Sequence, residues 1–168
     1  GRNTRLAHGG DVDDSEMPLS TRWGVGGAIA LKFAAQGFCV VLTTRTESNA
    51  KALEDAVAST GAEALTVELD LSSEASVNGA FERITAQVGP PEVVVLNAGY
   101  LEGRDLPADQ ELLEHIPVEM FDTAQDIASR GPFLVAKQVM PIMRERGSGS
   151  FLITNNAASL RGRKRYTG

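Results

Sequence analysis

Four short stretches carry small, hydroxyl-bearing or charged residues at the ends of apolar runs, where a nucleotide-like ligand could meet backbone. Ser20-Thr21-Arg22-Trp23-Gly24-Val25-Gly26-Gly27 sets a G-x-G ahead of an apolar helical pattern. Glycines at a helix start let backbone N–H groups approach a pyrophosphate, and the helix dipole favours its charge. A plain structural turn accounts for these glycines equally well. Thr43-Thr44-Arg45 closes a second apolar run. A carboxylate there would accept the ribose hydroxyls of NAD, whereas an arginine flanked by hydroxyls suits the extra 2′-phosphate of NADP. The competing reading is a surface arginine that opens a loop. Leu69-Asp70-Leu71 and Leu96-Asn97-Ala98-Gly99 end two more runs. Small residues after a buried strand let the chain pass close to a ligand. The Asn97 amide can hold a neighbouring strand or loop in place.

The elements that must position these residues follow from patterning. Ala28, Ile29, Leu31, Phe33 and Ala35 predict a short helix that Gly37 ends. Phe38 to Leu42, with Val40 and Val41, predicts a buried strand. Ser48 is placed to cap a second helix, with Ala50, Leu53 and Val57 on one face before Gly61. Ala64 to Leu69 alternates as a strand. Ser72 or Ser73 would cap a third helix carrying Val77, Phe81, Ile84 and Val88, which Gly89-Pro90-Pro91 breaks. Val93 to Leu96 is the strongest strand signal. Helical stretches follow near Asp109–His115 and Glu119–Met143, the second expected to bend or break at Pro132 and Pro141. Phe151 to Thr154 is a last strand. Such alternation implies βαβ units, hence an α/β fold with a parallel sheet covered on both faces. Residues 1–19 hold Asp11, Asp13, Asp14 and Glu16 without apolar periodicity and are expected to be disordered. Residues 20–168 are then the one domain, a size that a single core can serve.

Composition narrows the function. A 42% apolar, 23% charged chain reads as an ordinary globular protein. The net charge of −6 argues against a general nucleic-acid binder. The cluster Arg161, Arg163, Lys164 and Arg165 is the local exception and reads as a solvated loop. No apolar run of about 18 residues predicts a membrane span. Gly1-Arg2-Asn3-Thr4-Arg5 leads into no secretory core, and without an opening Met a fragment or processed product is expected. The single cysteine, Cys39, cannot form an internal disulfide; its apolar surroundings predict a buried thiol, and the cytoplasm is the default compartment. His8 and His115 have no spacing for a metal site or a nucleophilic triad.

In order and spacing these motifs resemble the short-chain dehydrogenase/reductase family, across about residues 20–168. In that family a T-G-x-x-x-G-x-G turn binds the pyrophosphate, an Asp after the third strand touches adenine, and N-N-A-G follows the fourth. Gly24 and Gly26 match the second and third glycines, Asp70 the adenine contact, and Asn97-Ala98-Gly99 the end of N-N-A-G, with Leu96 replacing its first Asn. Phe121 to Met143 looks like the family's fifth helix, of which Gly131-Pro132-Phe133 is typical. The resemblance implies a Rossmann-like doubly wound parallel sheet. It assigns a nicotinamide dinucleotide to Arg22, Gly24, Val25 and Gly26, to Thr44 and Arg45, to Asp70 and Leu71, and to Asn97, Ala98 and Gly99. NADP is the expected cofactor, with NAD the alternative, and the substrate a small carbonyl or alcohol. A homo-oligomer could form through the fifth helix, using Val135, Val139, Ile142 and Met143.

The sequence departs from the family where proton transfer is concerned. Family members use Asn, Ser, Tyr and Lys, the tyrosine exchanging a proton with the substrate oxygen. Ala128 falls where the Asn is expected and Asn156 where the Ser is. The Tyr position, about 13 residues further on, lies past Gly168, and Tyr166 stands too near the end to head Tyr-x-x-x-Lys. Ser20 occupies the first glycine position, and Asp11 to Leu19 does not read as the family's central first strand. That strand is expected to be weak or absent and the sixth and seventh strands missing. The loss would be several kcal/mol of core burial, against about 5–15 kcal/mol for a typical domain. No catalytic residue is therefore assigned. Three readings stand: an NADP-preferring oxidoreductase in incomplete or degenerate form, a non-catalytic nucleotide-binding or dimerising module, and a fragment without function.

Overall fold

The computed structural model describes residues 23–99 and 113–155. The expected disorder of 1–19, the readings of Arg22, Asn156, Tyr166 and the cations at 161–165, and most of the helix expected near Asp109 lie outside these residues. The chain divides into two compact units. One ends at Asp70 and adds Ala75–Gly89; the other comprises Leu71–Glu74 and the chain from Pro90 onward.

In the first unit, small residues make the packing face of helix α1 (Val25–Ala34). Gly27, Ala30 and Ala34 are buried, and Trp23, Val40, Leu42, Ala50, Leu53, Ala56 and Val57 complete this core. Strand β1 (Val40–Thr44) pairs in parallel with β2 (Ala64–Glu68), from Val40 opposite Ala64 to Thr44 opposite Glu68. Helix α2 (Lys51–Ala58) connects them after a 3₁₀ turn at Glu47–Asn49. Helix α3 (Glu74–Val88), which belongs to this unit from Ala75 onward, buries Val77, Ala80, Phe81 and Ile84 on one stripe. Gly37 (φ 84°) and Gly61 (φ 85°) turn the chain left-handed after α1 and α2, as their sequence positions require.

In the second unit, β3 (Val93–Leu96) pairs in parallel with β4 (Ser150–Ile153). Helix α4 (Val118–Gln125) runs into a π turn at Asp126–Arg130 and then α5 (Gly131–Arg146). The buried stripe of α5 is Leu134, Val135, Val139 and Met143. Full burial of such side chains is worth about 1.5–3 kcal/mol each. Among the described residues, no helix is long and apolar enough to cross a membrane.

Several expectations need correction. Cys39 is exposed, because the strand starts one residue later, at Val40; Phe38 instead packs edge-on to Phe33, ring centroids 5.2 Å apart. Ser48 lies within the 3₁₀ turn, and Ala50 stands at the cap position of α2. Thr66 and Val67 are both buried, so β2 does not alternate, and Val88, the last residue of α3, is exposed. The helix expected from Glu119 to Met143 is interrupted by the π turn, directly ahead of Pro132, and not at Pro141. Pro132 sits in the first turn of α5, and α5 continues through Pro141. Val135, Val139 and Met143 cannot form a dimer face, because their side chains are already buried within the chain. Phe133 (62% exposed) and Met140 (44%) face outward instead.

Candidate functional site

Gly24 is the N-cap residue of α1, with extended backbone (φ −62°, ψ 177°) and no side-chain cap. The first intrahelical bond runs from the Ala28 N–H to Gly24 O, 3.0 Å. The amides of Val25, Gly26 and Gly27 therefore point out of the helix end without acceptors inside it. Gly24 and Gly26 are half-buried and Val25 is exposed. Trp23 precedes the cap and is buried. A Cβ on Gly27 would lie 2.6 Å from Trp23 Cβ and 3.5 Å from Leu53 Cδ1. The tryptophan thus staples the chain's entry into α1, and only glycine leaves it room. Sequence reading missed this pair; a bulky residue four before a third glycine was the available signal.

At the end of β1, the Thr44 hydroxyl donates to Thr46 O (3.3 Å), and the Thr46 N–H reaches back to Thr44 Oγ1 (3.5 Å). The Leu69 N–H donates to Thr44 O at 2.8 Å, joining the ends of β1 and β2. Arg45, between the two threonines, is exposed. The next turn is tied down by Arg83 Nη1 to Glu47 Oε1, 2.8 Å, an exposed pair worth at most about 1 kcal/mol. Asp70 is half-buried, and its N–H donates to Ser76 Oγ at 2.9 Å. These residues belong to the first unit.

In the second unit, Asn97 is half-buried after β3. The Thr154 hydroxyl donates to Asn97 Oδ1 (3.0 Å) and the Thr154 N–H to Leu96 O (2.9 Å), so Asn97 does hold a neighbouring strand end. Thr154 is a residue that sequence reading did not single out. Ala98 and Gly99 are exposed, and a Cβ on Gly99 would meet no described atom within 4 Å, so packing there does not demand glycine. Leu71 is buried. A Cβ on Gly131 would lie 2.8 Å from Leu71 Cβ and 3.2 Å from Leu71 O. Ala128, within the π turn, is exposed, and its methyl group has no proton to relay.

A cleft of about 370 Å³ in the first unit is lined by Glu47, Ser48, Lys51, Glu54, Leu65, Thr66 and Arg83, none of them assigned to the ligand from sequence. Arg83 pairs with Glu47, Lys51 with Asp55, and the Thr66 hydroxyl donates to Glu54 Oε2 at 2.8 Å. Its charges thus satisfy one another, as in a structural crevice. Desolvation, and secondly the Glu63 carboxylate, hold the Cys39 thiol above its ordinary pKa, so it is no activated nucleophile. Among the described residues no group of three or more His, Cys, Asp or Glu could hold a metal ion.

Parallel strands linked through helices, with glycine, hydroxyl, arginine and amide groups at their carboxyl ends, define a Rossmann-like class of protein. Residues 19–167 match the family model described as enoyl-(acyl carrier protein) reductase, and the chain belongs to the short-chain dehydrogenase/reductase family. It is 34% identical over 141 residues to levodione reductase of Leifsonia aquatica, covering 83% of this chain and 51% of that protein. It is also 34% identical to 2-(R)-hydroxypropyl-CoM dehydrogenase of Xanthobacter autotrophicus, covering 86% of this chain and 58% of that one. A metagenomic short-chain oxidoreductase, solved in complex with NADP, superposes with a TM-score of 0.75 at 25% identity, over 84% of this chain and 62% of its own. The chain spans about half the length of the curated relatives it matches.

Proposed function

We propose that this chain binds NADP as part of a short-chain oxidoreductase that moves hydride between the nicotinamide and a small carbonyl or alcohol. On this reading residues 20–168 are a partial NAD(P)-binding domain. The observation that carries it is the turn after β1, where exposed Arg45 stands between Thr44 and Thr46 and no carboxylate takes the ribose position. A guanidinium fork matches a phosphate monoester in charge and geometry. The outward amides of Val25 and Gly26, with Gly24 and Arg22, would take the pyrophosphate. The Asp70 carboxylate would accept from the adenine amino group beside Leu71, and Asn97, Ala98 and Gly99 would let the chain pass close to the cofactor. The solved relative in complex with NADP supports the choice of dinucleotide.

When bound, the nicotinamide supplies or accepts the hydride. The chain's own contribution is binding and orientation. With Ala128 where the family places its Asn, one step of the proton relay has no carrier, and these 168 residues are proposed to bind cofactor without efficient turnover. Calorimetric titration tests this. NADPH should bind at least about tenfold more tightly than NADH, and Arg45→Asp should reverse that order, since a tenfold change corresponds to about 1.4 kcal/mol. No heat with either nucleotide on a demonstrably folded sample removes the reading.

A further inference from the structure

We propose that Arg130 is a positioning residue for the adenine end of the cofactor, acting through the strap at residues 71–74. The proposal rests on the NADP reading. Three contacts within the second unit tie this strap to one stretch of chain. Arg130 Nη1 donates to Ser72 O at 2.8 Å. Gly131 brings its backbone against Leu71, so close that a Cβ there would sit 2.8 Å from Leu71 Cβ. Lys137 Nζ reaches Glu74 Oε1 at 3.3 Å. Residues 130, 131 and 137 thus fix residues 72, 71 and 74 in turn.

The chemistry gives each contact a different weight. The Lys137–Glu74 pair is about half-exposed, so solvent screens it. The Gly131 contact is steric and sets distance without orienting a peptide group. The Arg130 bond is exposed too, but it is charge-assisted, short and ends on a backbone carbonyl, so it orients the peptide plane one residue beyond Leu71. A purine edge is read by hydrogen bonds that weaken steeply with angle. The peptide orientation of the strap therefore decides how well Leu71, and Asp70 directly before it, can meet adenine. Arg130 is itself the last residue of the π turn at Asp126–Arg130, and such turns gather at functional positions.

The test is titration of the full chain with NADPH and with its deamino (hypoxanthine) analogue, which lacks the adenine amino group. Wild type should prefer NADPH. Arg130→Gln should weaken NADPH by about tenfold, bring the two affinities together and leave the melting temperature nearly unchanged. Arg130→Lys, which keeps a charged donor, should restore most of the preference. Equal weakening of both nucleotides, or no change, overturns the proposal. If Arg130→Gln does not fold, Lys137→Gln decides: a smaller loss of the same preference supports the strap and unchanged binding overturns it. Wild type that binds NADPH without preferring it over the analogue sinks the strap alone. Wild type that binds neither removes the cofactor reading and this proposal with it.

Discussion

At the scale of single residues, the positions proposed to form or support the site divide by how much their neighbours constrain them. Gly24, Arg45, Asp70 and Asn97 stand where a motif reader would look, because strand ends and helix starts announce themselves in local sequence. Trp23, Gly27, Arg130 and Thr154 do not, because what they do depends on partners that only folding supplies. Gly27 is the sharpest case. Its missing side chain is required by Trp23, four residues away, not by a ligand or an unusual backbone angle. Gly27→Ala should therefore cost about 1–3 kcal/mol through overpacking, despite alanine's better helix propensity. Urea denaturation measures the loss. Trp23 is the chain's one tryptophan, so its emission should also shift to the red as the indole is pushed toward water. Unchanged stability and emission would mean that the two residues are not interlocked.

At the scale of elements, periodicity located every described helix and strand to within a few residues. It misjudged two properties that local pattern does not carry. One is which stripe of a helix faces inward. In α5 the run Val135, Val139 and Met143 is apolar whether it meets the chain's own core or a partner, and only the folded unit shows it buried. The other is what interrupts a helix. Prolines advertise breaks, and the π turn at Asp126–Arg130 does end just ahead of Pro132, yet α5 passes through Pro141. Pro141 lacks the N–H that would bond the Lys137 carbonyl, and it is exposed. Pro141→Ala should thus raise stability, by up to about 3 kcal/mol less the smaller benefit proline gives by restricting the unfolded chain. Thermal melts of the two proteins check it, and a lower midpoint in the variant would contradict this account of α5.

At the scale of the whole molecule, the described strands form two parallel pairs, β1 with β2 and β3 with β4, each inside its own unit. Two-stranded sheets hold little stability of their own, so a ligand that binds only the folded chain should register strongly in a melt. At NADPH a hundredfold above its dissociation constant, the linkage is about 2.7 kcal/mol, or about 5–10 °C for a chain of this size. NADH at the same concentration should give a smaller rise, and equal shifts would count against the role given to Arg45. The sequence by itself determined the family, the α/β class, the strand ends and the residue types displayed there, because each is a local pattern of a few neighbouring residues. Tertiary structure alone decided that Trp23 and Gly27 interlock, that Thr154 holds Asn97, that the apolar stripe of α5 is buried and that Arg130 donates to Ser72 O. These are contacts between residues brought together by packing, and no local pattern encodes which partner will be there.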